Sequence, residues 1–289
     1  MKLLRYSGDR RTVLLLGSAL FLTLLPYILA GHAVRGPLYY LIFFLVQTYI
    51  SYMCGAINHN HTHHSTFHGR VPNLLMNQFL SFSMGRSTSY LVIPHNFNHH
   101  GNFGKESDWS DPRKIGHFRG VLGVVVYSVR IFCLMTRYQG KEATLRTRPR
   151  LMRRIFTEQV FLVAFFAALI WWNWTIFILS SFPGFVAAIF GLLAINLFQH
   201  GLCDLESDHD HSRNFVSPVY NWIFVNNGYH TYHHDYPKAH WTELPALHLK
   251  WVDPHINPRF NERSFLRFVF LEFLWVGPKT PIVKGAPTY

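Results

Sequence analysis

Charge is scarce in this 289-residue chain, at 15% of residues against about 25% in an ordinary soluble domain. Acids are scarcer still, 15 Asp and Glu against 27 Lys and Arg. Cysteine is nearly absent: Cys54, Cys133 and Cys203 form no CxxC pair, which argues against a disulfide framework. No internal repeat and no low-complexity tract stands out. G-x-S-x-G, Walker A, Rossmann and HExxH signatures are missing as well, which removes the usual hydrolase, nucleotide-binding and zinc-protease readings. Glu-x-x-His, needed twice by soluble carboxylate di-iron bundles, occurs once, at Glu206–His209.

Apolar and aromatic residues are abundant, at 49% and 17%. Mean hydropathy is only +0.09, which implies membrane spans joined to a sizeable polar part. Four stretches are near the ~20 residues that cross a bilayer, at about 12–30, 38–57, 155–172 and 175–199. The first follows basic residues but lacks a small-residue cleavage site, so an uncleaved span is expected. Short links within each pair predict two helical hairpins. Lys2, Arg5, Arg10 and Arg11 precede the first span, and Arg137, Lys141, Arg146, Arg148, Arg150, Arg153 and Arg154 precede the third, with Glu142 the only acid among them. The two tight loops hold only Arg35. The positive-inside rule then puts both termini, 58–154 and 200–289 in the cytoplasm. It also accounts for the basic balance without nucleic acid. Weaker apolar stretches at 74–93 and 120–135 read as interfacial or buried helices. Pro183-Gly184 predicts a kink in the fourth span. The fold expected is an all-α membrane protein, a single domain over 1–289.

Histidine is the other excess. "HNHTHHSTFH", residues 59–68, carries five, and every histidine but His32 falls in the expected cytoplasmic parts. Three clusters stand out: His59, His61, His63 and His64; His95, His99 and His100; His230, His233 and His234. His200 closes the fourth span, with Asn196 one turn earlier. On helices, His59 and His63, His95 and His99, and His230 and His234 each share a face. Adjacent pairs such as His99 and His100 diverge by about 100° and would serve two metals or two sides of one. His61 lies about 160° from His59 and is expected to be replaceable. His68, His209, His211 and His240 are also left outside the ligand set. Imidazole is the commonest metal ligand, and so many exceed what one tetrahedral zinc takes. A dinuclear site with open positions is expected. Asp108, Asp111, Asp208, Asp210 and Asp235 flank the clusters as candidate partners for ligand N–H groups.

The order H-x3-H, H-x3-HH, H-x2-HH around two hairpins resembles the three histidine boxes of the integral-membrane fatty acid desaturase and hydroxylase superfamily. The matching residues are His59 and His63; His95, His99 and His100; and His230, His233 and His234. "NLFQH" resembles the site that family places between boxes two and three, with His200 a ligand and Asn196 binding through water. His59 with His64 also fits the H-x4-H form of box one, so the second ligand there is His63 or His64. The helical spacing favours His63. The resemblance covers about residues 10–250 and implies a non-haem centre of two Fe.

An unactivated methylene C–H has no acidity for a side-chain base to use, so a cofactor must supply the oxidant. The resemblance therefore implies an O2-dependent oxidoreductase acting on a lipid or fatty acyl chain at the bilayer, most readily a desaturase. Hydroxylase, ketolase and oxidative decarboxylase outcomes share the same ligands. No cytochrome b5-like HPGG motif is present, so an external ferredoxin- or cytochrome-type electron donor is expected, with the basic segment 137–154 a candidate docking surface. A His-rich metal transporter is the reading from another class. It would place polar ligands at mid-span, where this chain has little beyond Gln47, Ser180 and Ser181.

Overall fold

The computed structural model describes residues 3–115, 120–139 and 148–275. His117, and Lys141, Glu142 and Arg146 of the basic segment, lie outside the described residues. The longer helices are α1 (Asp9–Ala30), α2 (Pro37–His63), α3 (Arg70–Met84), α4 (Val121–Gln139), α5 (Pro149–Ile176) and α6 (Phe182–His200). Short helices follow: α7 (Pro218–Ile223), α8 (His230–Asp235), α9 (Leu244–Trp251) and α10 (Phe265–Val269). Strands β1 (Asn214–Phe215) and β2 (Asn261–Glu262) pair in parallel, Asn214 opposite Asn261. By contact the chain divides into two units, Met1–Val92 with Glu142–Gly191, and Ile93–Lys141 with Leu192–Tyr289.

Among the described residues, three helical stretches are long and apolar enough to cross a membrane: Asp9–Ala30, Pro37–His63 and Pro149–His200. The third is not straight. Asn173 has φ −158° and ψ 96°, and Phe166 stacks on Phe185 at 5.6 Å, where a straight helix would hold them about 28 Å apart. The chain therefore reverses at Asn173. The Asn173 side chain explains how. Its Oδ1 accepts from Ile176 N (3.2 Å) and Thr175 Oγ1 (2.7 Å), in the manner of a helix N-cap. Its Nδ2 donates to the carbonyls of Gly31 (2.9 Å) and Ala33 (3.1 Å), just beyond α1.

The first unit buries Tyr27, Tyr40, Leu169, Ile176 and Phe177 together, and several of its polar side chains pair internally, as an apolar solvent favours. Tyr27 Oη pairs with Ser181 Oγ (2.9 Å), Tyr40 Oη with Thr175 Oγ1 (3.0 Å), and Ser51 Oγ donates to Ser83 O (2.8 Å). Leu14, Phe21, Phe156, Val163, Trp171 and Trp174 point outward, as helices in lipid require. The sequence stretch 74–93 is not one helix. Gly85 ends α3 in the left-handed region (φ 67°), and a Cβ there would collide with Phe185. The expected kink at Pro183 takes the form of a π-turn over Phe177–Ser181, which accommodates the missing N–H and ring of Pro183. In the second unit, α4 buries Tyr127 and Ile131 against Phe198, Phe215 and Phe268, while Leu122, Val125, Val129 and Phe132 stay exposed.

Candidate metal centre

In the first unit, α2 runs through box one to His63. His59 and His63 sit one turn apart with ring centroids 5.3 Å from each other, and each offers a ring nitrogen within 4.8 Å of the other's. His64 leaves the face that His59 and His63 share. The helix ends there (φ −138°, ψ 105°), and the His64 ring packs edge-on against Tyr6 at 5.0 Å. His61 is buried, bonded to Thr66 and Asn77.

In the second unit, box two does not lie on an α-helix. Ile93–His99 is a π-helix, because Pro94 removes a donor and crowds the carbonyl four residues before it. The same face is then reached at i+5 rather than i+4. His95 accordingly meets His100 (Nε2 to Nε2 3.2 Å), while the His99 ring lies 5.7 Å from that of His95 and turns its Nε2 to His234. His233 joins that pair, its Nε2 3.2 Å from His100 Nε2.

His99 is released to a second group, of His99, His200, His230 and His234, whose ring nitrogens all lie within 4.8 Å of one another. Nε2 separations are 2.9 Å for His200–His230, 3.1 Å for His230–His234 and 3.2 Å for His234–His99. Adjacent histidines thus divide between the groups, His99 from His100 and His233 from His234. In α8, His230 and His234 share a face as their spacing predicts.

The outer atoms fix which nitrogens face inward. His99 Nδ1 donates to Asp108 Oδ2 (2.8 Å), and Asp108 Oδ1 is held by Ser110 N (2.9 Å) and Ser110 Oγ (2.8 Å). His200 Nδ1 faces His211 O at 3.4 Å. Both rings therefore carry the proton on Nδ1 and present a bare Nε2 lone pair. A bare Nε2 about 3 Å from the next ring nitrogen accepts an N–H from it when no metal is bound, or shares a cation with it when one is. A metal about 2.1 Å from each nitrogen would put cis nitrogens about 3.0 Å apart and tetrahedral ones about 3.4 Å, so the observed spacings fit cis positions around a metal with room for more ligands.

Of the other candidate acids, Asp111 pairs with Arg113 (2.8 Å), Asp210 accepts from Asn257 N (2.8 Å), Asp235 faces His211 (3.3 Å) and Asp208 is exposed. Asn196 Nδ2 donates to Ser110 O (3.0 Å) and Tyr127 Oη (2.5 Å), so a water-mediated role would fall to its Oδ1. Sequence reasoning missed Phe103, whose ring stands 4.4 Å from His234 and 5.0 Å from His200 and walls off the four-histidine group. No periodicity marks it.

Burial, followed by the neighbouring imidazoles His100, His230, His200 and His99, holds the His234 pKa well below the usual histidine value. The folded chain keeps this ring neutral, while the unfolded chain takes up the proton near pH 6.5. Metal-free protein is thus expected to keep its full stability above about pH 6.5 and lose it progressively below. Thermal melts of chelator-treated protein at pH 7.5 and 5.5 check this; equal midpoints would contradict it.

The sequence model of the family described as Fatty acid desaturase matches residues 35–264. No curated protein and no solved structure matches the chain.

Proposed function

Because the chain belongs to the fatty acid desaturase family, we propose that it uses O2 to oxidise an unactivated C–H bond in a fatty acyl or lipid chain at a two-iron centre, introducing a C=C bond. One observation carries the reading: four imidazoles, three of them buried, bring their Nε2 atoms together with cis spacing. His99, His200, His230 and His234 are the proposed ligands of one iron. His95, His100 and His233 are assigned to the other, with box-one His59 and His63 added by their H-x3-H spacing. When bound, the irons supply the redox chemistry that no side chain has. Asp108 and Ser110 orient His99, and Phe103 keeps water from that cluster. Nitrogen spacings shorter than the ~3.4 Å of a closed tetrahedron would leave an iron there room for further ligands, which supports a catalytic over a structural metal.

The proposed topology has four crossings, since α5 and α6 fold back on each other, with both termini and the histidines cytoplasmic. The clustering of basic residues before α1 and α5 supports that orientation. Electrons are proposed to come from a separate ferredoxin- or cytochrome-type protein. Expression in a host of known lipid composition, followed by mass spectrometry of total lipids and free hydrocarbons, tests the reaction. A new internal alkene is expected. An alcohol would assign hydroxylation, a shortened terminal alkene would assign oxidative decarboxylation, and an unchanged lipid profile with active electron donor present would contradict the proposal.

A further inference from the structure

Glu158 lies in α5 with 3% of its surface exposed, and four hydrogen bonds from neutral donors surround its carboxylate. Oε1 accepts from Asn77 Nδ2 (3.2 Å) and Ser89 Oγ (2.6 Å); Oε2 accepts from Ser87 Oγ (2.6 Å) and Ser89 N (2.8 Å). A carboxylate can only accept, so Asn77 must turn its NH2 toward Glu158. Its Oδ1 then faces His61 Nε2 at 3.0 Å, which obliges His61 to carry its proton on Nε2. Nδ1 is left as the acceptor for Thr66 N (3.2 Å) and Thr66 Oγ1 (2.9 Å), in the turn that follows α2. One charge in α5 thus dictates an amide orientation in α3, a tautomer in α2 and the closure of the next turn.

His61 sits about 160° around the helix from both His59 and His63. Fixing it fixes the rotation of the last turn of α2. We propose that Glu158 is a positioning residue for box one, acting through Asn77 and His61 to set the aim of His59 and His63. This rests on the reading of His59 and His63 as iron ligands. It departs from the sequence expectation that His61 is replaceable: on this proposal His61 is no ligand, yet it is the pin on which the ligand turn is held.

Glu158→Gln tests the chain of bonds atom by atom. A Gln amide placed at Oε2 meets Ser89 N–H, donor to donor. Placed at Oε1 it meets the Asn77 NH2, which must flip, present NH2 to His61 and force the other tautomer, losing the Thr66 N bond. The pair Asn77→Asp with Glu158→Gln restores every bond. The new carboxylate in α3 accepts from His61 Nε2 and from the NH2 of the new amide in α5. Ser89 Oγ accepts from the same NH2, and the oxygen of that amide keeps Ser87 Oγ and Ser89 N. Iron per chain and hydrogen exchange at the Thr66 amide are the readouts. Glu158→Gln is expected to lose about one of two irons and to speed Thr66 exchange at least tenfold; the double variant is expected to recover both. Wild-type iron and Thr66 protection in Glu158→Gln would overturn the proposal. If the single variant fails to fold, a double variant that also fails, or that folds without regaining the iron, would overturn it as well. His59→Ala separates this from the ligand assignment: two irons retained there would refute His59 as a ligand, whatever Glu158→Gln does.

Discussion

His234→Ala is expected to hold about one iron per chain and to make less than about 1% of wild-type product. His234 Nε2 stands 3.1 Å from that of His230 and 3.2 Å from that of His99, so it bridges the four-nitrogen group rather than sitting at its rim. Alanine removes one of four clustered nitrogen donors. Changes to groups that merely orient a ligand cost 10–100-fold in metal affinity or activity, and loss of the ligand itself should exceed that. The other group, with His95, His100 and His233, keeps its donors, which is why one iron rather than none is expected. Metal analysis and product yield on the same preparation check it. Two irons and more than half the activity would remove His234 from the site.

Gly228→Ala is expected to destabilise the chain by about 3 kcal/mol and to lower iron content with it. A Cβ on Gly228 would overlap Phe215 O and lie 2.6 Å from Asn221 Oδ1. Neither can retreat, because both are locked around the same glycine. Phe215 N donates to Gly228 O (2.9 Å), Gly228 N donates to Asn221 Oδ1 (3.1 Å), and Asn221 Nδ2 donates to Phe215 O (2.7 Å). Box three begins two residues later, so displacing this loop moves His230. Gly17→Ala in α1, where a Cβ meets nothing within 4 Å, is the control and should leave melting temperature and iron unchanged or slightly improved. Equal melting temperatures for Gly228→Ala and wild type would contradict the argument.

Much of this was legible in the sequence because it follows from period and polarity. The apolar lengths mark α1, α2 and the stretch 149–200, and helical spacing correctly joins His59 to His63 and His230 to His234. Asp108 stood among the candidate partners because it is an acid close to box two. What failed did so where the backbone departs from the α-helix. His95 pairs with His100 because Pro94 opens a π-helix, and His64 leaves the face because the helix stops there. Gly85 divides the stretch 74–93 because Phe185, a hundred residues on, occupies the space a Cβ would take. Phe103, Ser110 and Glu158 owe their roles to partners distant in sequence or to turns, and neither periodicity nor spacing records those.

The central claim is O2-dependent removal of hydrogen from an acyl chain at the histidine-bound irons. The most direct measurement feeds a fully deuterated fatty acid to cells expressing the protein, with and without O2, and weighs the recovered acyl chains. The expected result is a species two deuterium atoms lighter, formed only with O2 and absent in cells expressing His99→Ala. The same species formed without O2 or formed equally by His99→Ala, or no loss of deuterium in cells shown to hold iron-loaded protein and a working reductant, would contradict the account.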